Sequence, residues 1–413
     1  MHFLTSSFSP TNLSYSIICY ALNNSPSHDD LPIDYDYIIC GAGCAGLSLA
    51  HRLTDAAFAD KKILILDKAP KTENDRTWSF WIDKPHRFDE IVHHRWDHIN
   101  FYGDHKLDRV DIMPYSYQSI RGIDFYRYTL DAIESCAHID IRYEAVSSIT
   151  PEADGTAKVL TVQRTYRCKR TFTSIVEQFP AQDFHFIWQH FKGWVIETEE
   201  EIFDDRTATF MDFRIDQQGE TRFVYVLPYS KNKALIEATI FSKEQWDNEQ
   251  YDPIIRSYLS DYLNLNSYKI IETEHGAIPM TTSRFSTLQS SSVIPIGTLN
   301  DSVKPSSGYA FIRIQEEADR IIHLLSSAKA INLRRTGRFR WYDRTLLDVV
   351  IRGKKGAKQI FSLMFQHNTP QEVFKFLSEH TSLWEEIKIF WTLPFWPFLS
   401  SFWMSNVLNK TKK

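Results

Sequence analysis

The 413-residue sequence has little cysteine, little net charge and no long apolar run, and each shortage excludes a class of protein. Its five cysteines show no metal-ligand spacing and cannot build a disulfide framework, which indicates a reduced, cytoplasmic protein. A net charge of −5 argues against a protein that binds nucleic acid. No apolar stretch reaches the ~18 residues that a membrane-spanning helix requires.

Residues 1–34 contain neither lysine nor arginine. A secretory signal begins with basic residues and continues as an unbroken apolar stretch, and this segment has neither feature. We therefore expect residues 1–34 to form a disordered tail.

The most informative motif follows a short apolar strand predicted at 35–40. It has the pattern G-x-G-x-x-G, opens a predicted helix, and comprises Gly41, Ala42, Gly43, Cys44, Ala45 and Gly46. Such glycines permit a tight turn and let a pyrophosphate approach the backbone at the start of the helix. Asp67 ends the next predicted strand, 21 residues after Gly46, where a carboxylate accepts a hydrogen bond from a ribose. The unit predicts a dinucleotide site but does not distinguish FAD from NAD.

A later segment bears on that choice. The stretch 293–297 is predicted to return to the first sheet, and Gly297 ends it. After it come Ser307, Gly308 and Tyr309, at the start of a further predicted helix. These residues suit the flavin side of a bound FAD, although an ordinary strand–helix connection has the same appearance.

The pattern along the chain predicts an α/β protein with a Rossmann-like, dinucleotide-binding core. Residues 35–150 and 270–330 form the discontinuous dinucleotide-binding domain in this prediction. Residues 151–269, with their alternating apolar positions, form an inserted β-rich substrate domain. Residues 331–413 form a helical C-terminal cap with an aromatic tail.

Several segments together resemble the bacterial-type, FAD-dependent lycopene β-cyclases. They are D-Y-I-I-C-G-A-G at 36–43, R-T-W-S-F-W at 76–81, M-D-F-R-I-D-Q at 211–217 with F-V-Y-V-L-P at 223–228, L-I-E-A-T at 235–239, G-A-I-P-M at 276–280, P-S-S-G-Y at 305–309 and L-P-F at 393–395. The tryptophan segment and the glutamate segment are the more specific ones, and the likeness extends over roughly residues 35–400.

The resemblance implies a flavoprotein of the two-dinucleotide-binding-domain type, in which residues 35–150 and 270–330 bind FAD. It also implies that the linear ends of lycopene close to β-ionone rings, giving γ-carotene and then β-carotene. The reaction is not a net redox change, yet it uses reduced FAD, with NADPH as the usual electron donor. Glu237, which lies in an apolar strand, would be the acid that protonates the substrate alkene, because burial keeps a carboxyl group protonated. Asp212 would be a supporting carboxylate or the final base, although an ion pair with Arg214 or Arg222 is an equal alternative.

Two positions depart from the patterns of related proteins. Plant relatives have a second acid after the glutamate, where this sequence has Ala238, so Glu237 must act alone or with another partner. Flavin monooxygenases have Gly-Asp where this sequence has Gly297-Thr298, which weakens the alternative of a monooxygenase or isoprenoid reductase acting on an apolar substrate. A non-enzymatic dinucleotide-binding protein or lipid carrier is the third reading.

Two further expectations concern ligands and surfaces. Neighbouring histidines at His93, His94 and His98 point in different directions, so we expect no metal site. The stretch 389–404 combines tryptophans and phenylalanines with flanking lysines, which predicts attachment to the surface of a membrane. A terminal segment packed into the core is the alternative reading.

Overall fold

The computed structural model describes residues 33–176, 179–180, 186–285, 290–327, 329–333, 337–351 and 356–393. Most of the predicted N-terminal tail, and the aromatic stretch beyond residue 393, lie outside these residues. The strands, numbered in chain order, are β1 (Tyr35–Cys40), β2 (Ile63–Asp67), β3 (Thr77–Ile82), β4 (His94–Trp96), β5 (His98–Tyr102), β6 (Lys106–Asp111), β7 (Ser116–Arg121), β8 (Ile139–Tyr143), β9 (Val146–Pro151), β10 (Ala157–Thr161), β11 (Thr165–Thr173), β12 (Phe186–Glu197), β13 (Thr207–Asp212), β14 (Thr221–Ser230), β15 (Lys233–Ser242), β16 (Lys269–Thr281) and β17 (Val293–Pro295). The helices are α1 (Cys44–Arg52), α2 (Gly122–Glu134), α3 (Asp252–Leu263), α4 (Phe311–Ser326), α5 (Arg338–Ile351), α6 (Gly356–His367), α7 (Pro370–Leu377) and α8 (Leu383–Trp391).

The first sheet is built around β1, in the order β8-β2-β1-β11-β10-β9. Strand β17 returns late in the chain to pair in parallel with β11, as the sequence predicts. Strands β1 and β2 are apolar and almost continuously buried, as expected for parallel strands covered on both faces. Helices α1, α2 and α4 pack on one face of this sheet through a shared apolar cluster.

The second sheet has the order β16-β12-β15-β14-β13-β5-β6. Successive side chains of a strand point to opposite faces, and here both faces are covered. On β15, Ile236 and Ala238 belong to the apolar cluster that packs against α3. Leu235 and Phe241 belong to the opposite cluster, which helices α5 to α8 cover. The side chain of Glu237 therefore lies on the face away from α3.

Each of the two large sheets contains strands from both sides of residue 151, the predicted boundary. Strands β9, β10 and β11 belong to the first sheet, because β11 pairs directly with β1. Strands β5 and β6, predicted within the FAD-binding part, extend the second sheet through the pairing of β5 with β13. Alternating polarity identified these segments as strands, but the sheet that each one joins depends on long-range pairing.

A buried ionic cluster joins the loop before α4 to the C-terminal helices. The Lys304 ammonium group lies 2.8 Å from an Asp343 oxygen and 3.0 Å from a Glu379 oxygen. Ser306 also donates to Asp343, and Arg313 pairs with Glu379. Because Lys304 and Asp343 are both buried, each charge depends on its partner for compensation.

Replacing Lys304 with Met should destabilise the protein by about 3 kcal/mol, because Asp343 then keeps a buried, uncompensated charge. Thermal unfolding of the purified chain measures this as a lower midpoint. Lys231→Met is the matched control, since Lys231 pairs with Glu201 on the exposed surface and such pairs contribute about 0–1 kcal/mol. Equal midpoints for the two variants would show that the cluster does not hold the cap.

Candidate active site

A cavity of about 420 Å³ lies between the two large sheets, a size typical of small-molecule sites. One part of its wall follows the carboxyl ends of β1 and β17, where doubly wound sheets bind their ligands. The other part comes from β12, β14, β15 and β16 of the second sheet. The cavity thus joins the predicted cofactor residues to the predicted catalytic strand.

The glycines after β1 make a tight turn and leave room in front of it. Gly41 has a φ of +102°, a conformation that favours glycine. A Cβ atom on Gly46 would lie 1.9 Å from the carbonyl oxygen of Gly41, so the turn and α1 can approach only through this glycine. Beside Gly43 a Cβ atom would meet nothing within 4 Å. Helix α1 begins here without a side-chain cap or an acidic residue, which leaves its first N–H groups for an anion.

Asp67 lies at the end of β2, as predicted, and is bonded to the glycine turn. Its Oδ2 atom accepts a hydrogen bond of 2.6 Å from the Ala42 N–H group. Its Oδ1 atom accepts from Ala69 and from Lys71. The carboxylate thus fixes the turn, and its contact with a ribose stays a prediction.

The late-chain residues come to the same wall. Gly297 has a φ of +63°, and a Cβ atom there would lie 2.7 Å from that of Ala45. Gly308 approaches Gln189 so closely that a Cβ atom would lie 2.0 Å from its Oε1 atom. Ser307 Oγ and Gln189 Oε1 are buried and have no hydrogen-bond partner among the described residues. The structure therefore brings polar atoms that a ligand can satisfy to the start of α1.

Cys44, beside Gly43, also lines this wall. Burial raises the pKa of its thiol to about 12, with a smaller opposing effect from Ser48. The thiol is therefore neutral at physiological pH. A neutral, small side chain at this position suits the close approach of a ligand to the helix.

Glu237 lies on the cavity wall contributed by the second sheet. Its Oε1 atom accepts a hydrogen bond of 2.9 Å from Thr239. The side chain is half-buried and lines the cavity. Desolvation raises the pKa of Glu237 well above its ordinary value, and the charge of Glu274 raises it further. Both effects favour the neutral, protonated form of this carboxyl group.

Glu274 on β16 is a second carboxyl group on this wall that the sequence prediction missed. Across the sheet Glu237 pairs with Gly193, and Gly193 pairs with Glu274. A Cβ atom on Gly193 would lie 3.2 Å from Glu274 Cγ and 3.5 Å from Glu237 Cβ. The missing side chain therefore lets the two carboxyl groups face one another. Thr77 donates a hydrogen bond of 2.7 Å to Glu274, and burial raises the pKa of Glu274 to about 6.

One sequence signal for Glu274 did exist. Glu274 lies two residues before Gly276, which begins one of the segments that resemble the cyclases. Residues two apart in a strand lie on the same face, so Glu274 shares a face with Gly276. The strand assignment alone does not reveal Glu237 as its neighbour, because the pairing runs through β12, some 80 residues away in sequence.

Asp212, the other predicted catalytic residue, is not among the residues lining this cavity. Asp212 pairs with Val224 on the neighbouring strand, and Val224 pairs with Ala238. These residues lie on the face of the sheet that packs against α3. There Asp212 accepts a hydrogen bond of 2.7 Å from Tyr258 and forms an ion pair with Arg214. The alternative of a structural ion pair is thus the one that the structure contains.

Aromatic rings form much of the remaining wall, which includes Trp78, Tyr117, Tyr225 and Tyr309. The hydroxyl oxygens of Tyr225 and Tyr309 lie 3.3 Å apart. Burial raises the pKa of both phenols, so they stay neutral. Trp81 and Phe223 lie in the core that α5 to α8 cover.

The sequence matches the family described as lycopene cyclase protein over residues 36–402. The lycopene beta-cyclase of Pantoea ananas is 26% identical over 260 residues, which is 60% of this chain and 63% of the relative. The chloroplastic lycopene beta cyclase of Nicotiana tabacum is 24% identical over 320 residues, 71% of this chain and 61% of the relative. The chain thus spans somewhat less than two thirds of these two relatives. The capsanthin/capsorubin synthase of Citrus sinensis is 24% identical, covering 87% of this chain and 76% of that relative.

Solved structures share the architecture at much lower identity. A flavoprotein/dehydrogenase from Cytophaga hutchinsonii superposes with a TM-score of 0.56 at 12% identity, covering 83% of this chain and 92% of the other. A geranylgeranyl bacteriochlorophyll reductase-like protein from Thermoplasma acidophilum gives 0.51 at 13% identity, with 92% and 98% covered. Aklavinone-11 hydroxylase, solved with FAD and aklavinone, gives 0.54 at 12%, with 72% and 63% covered. The predicted fold class is confirmed: the chain has the α/β fold of FAD-dependent flavoproteins and belongs to the lycopene cyclase family.

Proposed function

We propose that the protein is a lycopene β-cyclase that closes the linear ends of an acyclic carotenoid by acid-initiated cyclisation. The observation that carries this proposal is the placement of the Glu237 carboxyl group on the wall of a cavity that is lined by aromatic rings and adjoins the glycine turn, where desolvation raises its pKa. Family membership supports the substrate class, and the names of the cyclase relatives support the ring type.

The cavity wall fits FAD. Gly41, Gly43 and the start of α1 would hold the pyrophosphate, since the space beside Gly43 is open and the helix has no cap. Ser307 and Gln189 offer buried polar atoms that lack partners among the described residues. When bound and reduced, with NADPH as electron donor, FAD supplies an electron-rich ring system that stabilises positive charge without a net redox change.

The residues of the chain account for the remaining chemistry. An alkene is a very weak base, so its protonation needs a desolvated acid that is held close to one carbon. Glu237 donates its proton, the neighbouring double bond of the substrate attacks the resulting cation, and a proton leaves the new ring. The faces of Trp78, Tyr117 and Tyr225 stabilise the cation, and the enclosed wall keeps water from capturing it.

Helix α8 supports the attachment to a membrane surface that an apolar substrate requires. Its outward face presents Leu383, Trp384, Ile387 and Trp391, with Trp384 81% and Trp391 85% exposed. Its inward face buries Glu386, which pairs with Arg338. Tryptophans with nearby lysines are typical of proteins that bind the headgroup layer. No helix in the described part of the chain is long and apolar enough to cross a membrane.

Exchanging Gly43 for Ala should remove the bound flavin while keeping the fold, because the new methyl group enters the open space at the start of α1. Flavin absorbance after desalting, together with the thermal midpoint, measures both effects. Gly46→Ala is the contrasting variant: its methyl group meets the Gly41 carbonyl, so its thermal midpoint should fall. A Gly43→Ala protein with full flavin content would contradict the assignment of this turn.

Glu237→Gln should retain FAD and lower ring closure by about 10²–10⁴-fold, because an amide cannot protonate an alkene. Pigment extracted from bacteria that accumulate lycopene measures this: the unaltered chain should convert it to monocyclic or bicyclic carotene. Glu197→Gln, on the exposed end of β12, is the matched control and should cyclise normally. Substantial cyclic product from Glu237→Gln would remove Glu237 from the acid role. NADPH consumed in proportion to product would instead favour a redox enzyme.

Replacing Trp384 and Trp391 together with Ser should weaken co-sedimentation with anionic liposomes several-fold, since exposed indole rings supply most of the outward apolar surface of α8. Leu160→Ser with Val162→Ser is the control, because both side chains are exposed at the end of β10, in the first sheet. Shortening the chain at Glu386 tests the same attachment less cleanly, since it also removes the buried Ile389. Equal sedimentation of both double variants would rule out α8 as the attachment surface.

A further inference from the structure

The pair of carboxyl groups at Glu237 and Glu274 has chemistry that neither residue has alone. We propose that Glu274 is a positioning residue that shares one proton with Glu237, so that the pair both donates the proton of the cyclisation and takes it back. This inference rests on the proposed function, which it deepens. Three geometric observations support it: the facing registry across Gly193, the single hydrogen bond to each group, and the buried Oε1 atom of Glu274.

The hydrogen bonds leave one place for a proton between the two groups. Thr239 donates to Glu237 Oε1, and Thr77 donates to Glu274 Oε2. Glu274 Oε1 is buried and receives no N–H or side-chain hydroxyl among the described residues. A protonated Glu237 carboxyl group is the neighbour that can donate to it. Two carboxylates this close in a medium of low polarity repel strongly, and one shared proton removes that repulsion.

The surrounding groups decide which partner holds the proton. Those facing the pair from the adjoining elements are Arg76, Tyr117, Tyr225, Tyr229, Glu272 and His275. Arg76 favours the ionised form of Glu274, whereas Glu272 opposes it. The buried tyrosines stay neutral, because burial raises the pKa of each phenol. The charge of Arg76 therefore favours a distribution in which Glu237 holds the shared proton.

The proton balance of the cycle closes within the pair. Glu237 gives its proton to the terminal alkene carbon, and the second double bond of the substrate forms the new ring bond. The pair then carries two negative charges beside one carbocation, an arrangement that stabilises the cation. Loss of a proton from the ring forms the product alkene and returns that proton to the pair. No electron is transferred.

The pH dependence of cyclisation by the FAD-loaded enzyme tests this proposal. In Glu274→Gln the negative neighbour is absent, so the pKa of Glu237 falls and the alkaline limb of the rate profile should move down by about one pH unit or more. Activity lost near neutral pH should return as the pH is lowered. Glu237→Gln should stay inactive at every pH, and Glu197→Gln should keep the original profile.

Gly193→Ala separates a specific effect from a general loss of structure. Its methyl group would press on Glu274 Cγ and Leu235 Cδ1 and move the carboxyl groups apart while keeping both. Its alkaline limb should therefore shift in the same direction as that of Glu274→Gln. An unshifted limb in both variants, or an activity loss that low pH does not reverse, would overturn the sharing of a proton.

Infrared titration of the same FAD-loaded proteins gives a readout that does not need turnover. The unaltered enzyme should show a protonated carboxyl band at neutral pH that Glu237→Gln lacks and that titrates at lower pH in Glu274→Gln. If this band behaves so while no carotenoid is cyclised, the pair stands and the proposed function fails. If carotenoid is cyclised but the band is absent, or does not respond to Glu274→Gln, the pair fails and the proposed function stands.

Discussion

Two facing carboxyl groups in an enclosed cavity impose the constraint on which the rest of this structure depends. Negative charge is costly where water is absent, so each of the two carboxyl groups needs a hydrogen bond or a proton. Helices α5 to α8 cover the same sheet face with a continuous apolar cluster. Gly193 has no side chain, which leaves the space in which the two carboxyl groups face one another. The packing around Glu237 and Glu274 therefore also sets the acidity of these two carboxyl groups.

Pairing between distant parts of the chain builds both walls of the cavity. Strand β11 pairs with both β10 and β1 in the first sheet, and β5 pairs with β13 in the second. Thr77, at the start of β3, reaches across to Glu274 on β16. This hydrogen bond links β3, which belongs to a third sheet with β7 and β4, to the acid-bearing sheet. The cavity between the walls brings the glycine turn and Glu237 to one space without a separate linker.

Local patterns in the sequence predicted what depends on neighbouring residues. The strand–turn–helix unit at Gly41 to Gly46, the return of β17 to the first sheet and the position of Glu237 in an apolar strand follow from short motifs, and the structure contains each of them. The sheet that each strand joins and the carboxyl group opposite Glu237 did not follow, because both depend on which distant strands pair. Neither β9 to β11 nor Glu274 differs locally from strands and acids elsewhere in the chain. Long-range register is the information that a single sequence leaves out.

The alternation of side chains along a strand also explains why this site does not need the second acid that plant relatives have at the position of Ala238. Adjacent residues of a strand point to opposite faces, so an acid at position 238 would lie with Ile236 and Ile240 against α3, away from the cavity. Such an acid would join the side of the sheet that holds Asp212, where Tyr258 and Arg214 already satisfy a carboxylate. It would not share a proton with Glu237. Glu274 reaches the correct face because it lies two strands across the sheet in register with Glu237, with only Gly193 between them. The absence of an acid at position 238 therefore does not leave this site without a second carboxyl group.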